Sequence, residues 1–264
     1  MWHDVSLLKK LSNYCVCLFV AIIAVEFAIW MLKKPMYALQ MVKVQSVDGD
    51  SLHYVSDQTV RNAPLYEIKG NFFTVDINDV RTIFESVPWV RKASVRREWP
   101  DKLIVSIEEY QPLGTWGDEG KLLSIQGEVF TANVAEAEAD YHLMKFDGPE
   151  GSGKEVLEQY KNFKASFAPL NLVPKEVMLS DRYAWSVKME NGLLVQFGRE
   201  TENMPLKALI DRFLENYPRL IQKYGDRIGY VDMRYPSGMA IRLKTAVSSE
   251  NTNKEQDKSL TQEE

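Results

Sequence analysis

The chain has 264 residues, with 32 basic and 37 acidic side chains and a formal net charge of -5 at pH 7. The segment 246–264 contributes more than half of that negative charge, so the rest is nearly neutral, which argues against a nucleic-acid binder. Both cysteines, Cys15 and Cys17, lie in one apolar segment; the remainder has no thiol for a disulfide, a composition compatible with an oxidising compartment.

That apolar segment, Leu11–Leu32, is predicted to form a single transmembrane helix. From Tyr14 to Leu32 a helix would be roughly 28 Å long, which is enough to cross the hydrocarbon core of a bilayer. Helical structure also satisfies every backbone donor and acceptor within lipid. We therefore expect residues 1–10 on one side of a membrane and the functional part of the chain on the other.

The same segment also has two alternative interpretations. A cleaved signal peptide has a shorter apolar run and a small-x-small cleavage site, whereas KKPMYALQ follows here. A buried core helix rarely needs apolar residues on all sides. Glu26 indicates either a partner helix or a charge tolerated near one interface. Lys9 and Lys10 before the helix balance Lys33 and Lys34 after it, so charge leaves the orientation open.

The region after the helix predicts the order strand, helix, helix, strand, strand. The predicted elements are a strand at 41–47 closed by a turn at Asp48-Gly49-Asp50, a helix at 56–63, a helix capped by Asp76 and stopped by Pro88, and a hairpin turning at 99–102. We expect Phe72 and Phe73 to plug a core. We also expect Ala93, Val95 and Trp99 to share one face of the first hairpin strand.

The second half alternates short apolar runs with turn residues, which predicts an antiparallel sheet. Helices are predicted at 154–168 and from Pro205 to about Gly225, with a bend at Pro218. The final strand, Gly238–Leu243, leads directly into the polar segment 246–264, which is expected to be disordered, so we place that strand at a sheet edge.

No stretch of the sequence matches a catalytic motif well. The loop from Gly148 to Lys154 has the G-x-x-x-x-G-K spacing of a phosphate-binding loop, but Glu155 stands where a hydroxyl should contact magnesium. The three histidines lack the spacing of metal ligands, and no serine lies in a G-x-S-x-G setting. We expect no enzymatic activity and no cofactor.

A basic cluster occupies the predicted hairpin and consists of Arg91, Lys92, Arg96, Arg97 and Lys102. Acidic residues interrupt it, so a solvated sheet face is the favoured interpretation over a nucleic-acid or lipid surface. A weak protein contact site is the alternative.

Four stretches carry a resemblance to a known family. They are PWVRKASVRREWPDKL at 88–103, FDGPEGSGKEVL at 146–157, NGLLVQFGR at 191–199 and YVDMRYPSG at 230–238. Together they resemble the FtsQ/DivIB family of bacterial cell-division proteins. The resemblance implies an α+β fold: a transmembrane helix, a POTRA domain of order βααββ, and a β-rich domain with an antiparallel sheet and two flanking helices.

The implied domain organisation has six parts. These are a cytoplasmic segment (1–10), the transmembrane helix (11–32), a linker (33–40), the POTRA domain (41–109), the partner-binding β domain (110–245) and a disordered tail (246–264). The resemblance also implies a non-enzymatic scaffold in the bacterial inner membrane at the division septum, with a large periplasmic region. Its implied partners are FtsB, which adds a segment to the last β-strand, FtsL, and other division proteins that contact the POTRA domain, with no nucleic acid and no small-molecule substrate.

Carried over to this sequence, the resemblance places a partner-binding site on the last hairpin and strand. The implied site residues are Arg199, Tyr235, Ser237, Gly238, Ile241 and Leu243. Tyr235 would supply a rigid aromatic contact, Gly238 a close backbone approach and Arg199 an ion pair. Without the resemblance, these residues would be expected only to shape a hairpin or close a loop.

The sequence departs from enterobacterial members of the family at two points. Leu243 stands where they carry tryptophan, and Pro236 replaces an acidic residue, which puts the strength of partner binding in doubt. The alternative function is a POTRA-type membrane protein of a secretion or outer-membrane assembly system. That class requires a long run of barrel strands, a pattern that this sequence does not show.

Overall fold

The computed structural model describes residues 5–32, 38–47, 49 and 51–244. The chain divides into two compact units, Met1–Tyr110 and Gln111–Glu264. The predicted turn at Asp48-Gly49-Asp50 lies mostly outside the described residues, and the predicted disorder of 246–264 lies wholly outside them.

The first helix, α1, runs over Val5–Leu32 and begins six residues earlier than the apolar pattern indicates. Its stretch Lys9–Met31 has a mean hydropathy of 2.3 and is not buried against the rest of the protein. In length and composition it can cross a membrane.

The remaining elements of the first unit have the predicted order. They are β1 (Met41–Ser46), α2 (Asp57–Arg61), α3 (Ile77–Glu85), β2 (Val90–Glu98) and β3 (Lys102–Glu109). The strands form a sheet of order β1-β3-β2, in which β1 is parallel to β3 and β2 is antiparallel to it. The parallel pair requires the long crossover that α2 and α3 provide.

Local sequence signals fix both helices of this unit. The Ser56 side chain accepts a hydrogen bond from the Thr59 N–H and so caps α2. The Asp76 carboxylate accepts one from the Asn78 N–H at 2.7 Å and caps α3, as predicted. The apolar face of α3 is buried, which gives the unit its core.

Two predictions about aromatic residues in this unit are wrong in part. Phe72 is buried, but Phe73 is 42% exposed, because the Asn71 side chain accepts the backbone N–H groups of residues 73 and 74 and holds a tight turn. Trp99 is 76% exposed. Strand β2 ends at Glu98, so Trp99 belongs to the turn and no longer follows the alternation of the strand.

The second unit contains nine strands and three helices within the described residues. The strands are β4 (Pro112–Trp116), β5 (Lys121–Ser124), β6 (Val129–Thr131), β7 (Met144–Asp147), β8 (Pro174–Leu179), β9 (Ala184–Met189), β10 (Leu194–Arg199), β11 (Ile228–Asp232) and β12 (Ala240–Leu243). The helices are α4 (Val134–Asp140), α5 (Gly153–Phe167) and α6 (Leu206–Tyr224). The sequence did not predict α4.

These strands form one sheet of order β12-β11-β10-β9-β8-β7-β4-β5-β6. Five of its neighbouring pairs are antiparallel, as predicted, but β4 with β7, β7 with β8, and β10 with β11 are parallel. For two of these pairs the reason is that α5 lies between β7 and β8 in sequence and α6 between β10 and β11, and such helical crossovers return the chain in the same direction. Between β4 and β7 the chain forms β5, β6 and α4 before it returns to the sheet.

The core lies on one face of this sheet. Successive register partners form a fully buried row across five strands: Phe146, Val177, Val187, Val195 and Val231. Phe163 and Phe167 of α5 and Phe213 of α6 pack with Phe197 of β10 at ring-centroid separations between 5.4 and 6.3 Å. Both helices therefore cover the same face.

Candidate partner-binding edge

Strand β12 is the edge strand of the nine-stranded sheet and pairs only with β11 among the described residues. The Lys244 N–H donates to the Arg227 carbonyl oxygen at 2.6 Å, and the extra residue of the irregular pairing lies on β11. The alternation along β12 is therefore unbroken, and Ile241 and Leu243 direct their backbone N–H and C=O groups away from β11. This row of outward groups can pair with another strand.

The side chains of β12 differ on its two faces. Ile241 is the register partner of Val231, so it extends the buried row to the edge, where it is half-buried against the core. Leu243 lies on the same face and is 37% exposed. On the opposite face, the Arg242 guanidinium lies 5.1 Å from the ring centroid of Tyr230. A strand added beside β12 would extend the apolar face.

The hairpin that joins β11 to β12 presents the other predicted residues. Tyr235 is 54% exposed, Ser237 is exposed and Gly238 is half-buried. A Cβ at Gly238 would meet no heavy atom within 4 Å. The protein's own packing therefore leaves room beside this backbone, where an incoming chain could approach.

Arg212 of α6 holds the hairpin in place. Its guanidinium donates hydrogen bonds to the carbonyl oxygens of Met233 at 2.8 Å, Tyr235 at 2.9 Å and Pro236 at 2.6 Å. Because a guanidinium is planar and always charged, one side chain can fix three carbonyls of a turn. The position of Tyr235 thus depends on α6.

A buried carboxylate fixes the start of the same hairpin. Asp232, only 4% exposed, accepts hydrogen bonds from the Arg234 guanidinium at 2.6 to 3.1 Å and from the Arg234 N–H. This contact lowers the pKa of the Asp232 carboxyl and raises the pKa of Arg234. Burial raises the pKa of Tyr230, whose hydroxyl also contacts Asp232 and Gln196.

Arg199 lies at the same end of the sheet as the hairpin. Strands β10 and β11 are parallel, with Gln196 and Asp232 in register, so Arg199 and Tyr235 each follow that pair by three residues. Gly198 has a φ of +81°, and Arg234 packs over it, with its Cγ 2.7 Å from the position of a Cβ. A side chain at position 198 would displace Arg234.

The structure therefore brings Arg199, Tyr235, Ser237 and Gly238 to one end of the sheet, while Ile241 and Leu243 continue along β12. Sequence reasoning missed Arg212, Asp232 and Arg234. The spacing of Asp232 and Arg234 was a usable signal, since an Asp side chain commonly accepts the backbone N–H two residues later where a strand ends in a turn. Nothing local in the sequence marks Arg212, which acts on residues more than twenty positions away.

The two other candidate sites are the loop with the spacing of a phosphate-binding motif and a possible group of metal ligands. The loop from Gly148 to Ser152 does join β7 to α5, but the Ser152 hydroxyl donates to the Pro149 carbonyl oxygen at 2.6 Å. The carboxylates of Asp147, Glu150 and Glu155 surround it in sequence, which disfavours a phosphate. Within the described ranges, no three His, Cys, Asp or Glu side chains are grouped to hold a metal ion.

Family models match both units. Residues 43–110 match the model "POTRA domain, FtsQ-type", and residues 114–234 match "Cell division protein FtsQ/DivIB, C-terminal". A curated protein from Burkholderia pseudomallei, named "Cell division protein FtsQ", is 45% identical over 242 residues, which cover 92% of this chain and 94% of that protein. The chain belongs to the FtsQ/DivIB family. The resemblance seen in the sequence and the α+β fold with its POTRA domain are thereby confirmed.

Other FtsQ relatives are also similar over most of their length. The proteins of the same name from Bordetella pertussis and Vibrio cholerae are 37% and 35% identical, and the matches cover 92% and 80% of this chain and 93% and 77% of those proteins. Family membership and helix α1 together indicate a single-pass membrane protein of cell division. The match to the C-terminal FtsQ model includes Arg199 and ends one residue before Tyr235. The roles of the six site residues remain predictions.

Proposed function

We propose that this FtsQ-family protein is a non-enzymatic scaffold of the division machinery that binds a partner membrane protein by strand addition at β12. The partner is FtsB-like and accompanied by FtsL, and the scaffold links early and late division proteins. Its N-terminus is cytoplasmic, α1 crosses the inner membrane, and the POTRA domain and β-rich domain lie in the periplasm at the septum.

The observation that carries this proposal is the outward backbone of β12. Ile241 and Leu243 offer N–H and C=O groups that no strand in the described part of the chain pairs. Main-chain hydrogen bonds to an added strand supply affinity, and neighbouring side-chain contacts supply selectivity. Tyr235 at the hairpin and Leu243 at the far end would bracket the added strand.

The residues at the hairpin fit such a role. Tyr235 offers a large aromatic surface with few rotatable bonds, and the hydrogen bond from Arg212 to its carbonyl oxygen keeps its backbone in place, so little entropy is lost on binding. Arg199 is exposed near the same end and can form a bidentate pair with a partner carboxylate.

A proline substitution tests strand addition directly. Leu243→Pro removes an N–H that points away from β11, so the internal ladder keeps its hydrogen bonds, but a partner strand loses a donor. Leu243→Ala removes the same side chain and keeps the N–H. We expect calorimetric affinity of the detergent-solubilised full chain for an FtsB-like segment to fall much further with proline than with alanine.

Arg242→Pro is the matched control for structural damage. Its N–H points toward β11, so this variant should loosen β12 itself, which faster hydrogen exchange across 240–243 would reveal. Equal affinities of Leu243→Pro and Leu243→Ala for the segment would rule out strand addition at this edge.

A further inference from the structure

The tip of the β2–β3 hairpin in the POTRA domain is an exposed aromatic turn. Trp99 is 76% exposed, and among the described residues it makes no hydrogen bond or ring contact. An indole combines a large apolar surface with one polar N–H, and this combination favours the headgroup level of a bilayer over bulk water.

The chain segment between α1 and β1 limits the distance between this hairpin tip and the end of α1. The Gln40 N–H donates to the Asp101 carbonyl oxygen at 3.1 Å, and Met41 is the register partner of Lys102. The hairpin tip thus lies beside the residue at which the chain enters the domain. Nine residue steps join Leu32 to Met41, and a fully extended chain of that length spans at most about 32 Å.

The structure separates the basic cluster of the hairpin into two sets. Arg91 pairs with Glu108 at 2.6 Å, and Arg97 donates to the carbonyl oxygens of Phe72 and Val75. The other set has no ion-pair partner among the described residues; it consists of Lys92, near the start of β2, and of Arg96 and Lys102 near the tip.

Strand register brings Lys43 to the same face as Arg96 and Lys102. Lys43 and Arg96 are both register partners of Ile104, and Lys102 lies two residues before Ile104 on β3, so the three cations share one face near Trp99. Among the described residues of the hairpin, the carboxylates at this end are Asp101 and Glu98, which is the register partner of Lys102; the cations outnumber them, so the local charge is positive. An aromatic side chain beside several cations matches the chemistry of an anionic membrane surface.

We propose that this end of the POTRA domain docks on the surface of the bilayer that α1 crosses. Trp99 sits at the headgroup level, and Lys43, Arg96 and Lys102 face anionic phospholipid headgroups. Because the chain joins the domain to α1, the contact with the membrane is intramolecular. Even a weak affinity for the membrane surface therefore keeps the docked state populated. The inference requires α1 to be the membrane anchor, and it is independent of partner binding at β12.

The test uses the full chain in nanodiscs of phosphatidylcholine and phosphatidylglycerol. The difference in emission between the wild type and Trp99→Phe isolates Trp99 from the other tryptophans. We expect lipids brominated near the headgroup to quench this difference signal, because an indole at the interface lies at that depth. Combined substitution Lys43→Glu, Arg96→Glu and Lys102→Glu should abolish the quenching, since like charges repel the surface.

Val47→Trp in the Trp99→Phe background is the matched control. Val47 is 55% exposed at the other end of β1, about 20 Å from Met41 at the usual rise of a strand. Its tryptophan should remain unquenched. Equal quenching at both positions, no quenching at Trp99, or quenching unaffected by charge reversal would each overturn the proposal. A Trp99 signal that changes only when a partner protein is added would do the same.

Discussion

The Arg212 guanidinium lies 2.6 Å from the Pro236 carbonyl oxygen and so connects α6 to the hairpin before β12. Arg212→Ala removes this hydrogen bond and the two to Met233 and Tyr235. Hydrogen bonds to a charged group contribute about 1.5–3 kcal/mol, so we expect a loss of about that size in the local stability of the hairpin. Hydrogen exchange should be faster at residues 234–240 and unchanged in the centre of α5.

Arg219→Ala is the control for this variant. Arg219 is exposed on the same helix, and its side chain makes no hydrogen bond or ion pair among the described residues. It should leave exchange at the hairpin unchanged. If hydrogen exchange at the hairpin is also unchanged in Arg212→Ala, the three hydrogen bonds to carbonyl oxygens do not fix the position of the hairpin.

A second prediction concerns acid stability. Because Arg234 lowers the pKa of Asp232 below its ordinary value of 3.8, the folded state favours the ionised carboxylate. Its contribution is complete above that ordinary value and is lost as the pH falls through the lowered pKa of the folded state. The urea midpoint of the wild type should therefore fall more steeply below about pH 4 than that of Asp232→Asn.

The control for the acid experiment removes a carboxylate without this contact. Asp181→Asn changes an exposed side chain in the turn between β8 and β9. This variant loses one negative charge, as Asp232→Asn does. The dependence of its urea midpoint on pH should stay close to that of the wild type. Parallel acid profiles for Asp232→Asn and the wild type would contradict the role of the Asp232–Arg234 pair.

The third prediction uses the space at Gly238. Its Cβ position is open and its φ is ordinary, so Gly238→Ala should fold normally and keep the urea midpoint of the wild type. If a partner backbone passes here, the added methyl group obstructs it, and affinity for the FtsB-like segment should fall by about tenfold or more. Unchanged affinity would show that the partner does not approach at this position.

The sequence predicted the elements well where a local rule decides them. Asp76 caps α3 because its side chain reaches the second helical N–H, and the apolar spacing of α5 places Phe163 and Phe167 in the core. The edge position of the last strand was also predicted, since a polar segment follows it; the structure confirms it, with β12 starting at Ala240.

The misses have two physical origins. β7 and β8 are parallel because α5 forms the crossover between them, and the contacts of Arg212 join segments distant in sequence. Both depend on tertiary structure, which a short sequence window does not contain. Trp99 is a local case, since the alternation predicted for β2 extends one residue beyond the end of that strand at Glu98.

The last prediction concerns Tyr235 and Arg199, the two exposed residues at the end of the sheet where the β11–β12 hairpin lies. Tyr235→Ala removes an aromatic contact at low folding cost, because the side chain is 54% exposed while its carbonyl remains bonded to Arg212. Arg199→Glu replaces a cation with an anion at the last residue of β10. Each should weaken calorimetric affinity for the FtsB-like segment by about 1.4 kcal/mol or more, a tenfold change.

Tyr141→Ala is the matched control, because Tyr141 is also exposed but lies just before β7, five strands away from β12 in the sheet. It should bind the segment as the wild type does. Salt should weaken the wild-type interaction more than that of Arg199→Glu, since the Arg199 pair is solvent-accessible and screened. Wild-type affinity in both Tyr235→Ala and Arg199→Glu would place the partner elsewhere on the protein.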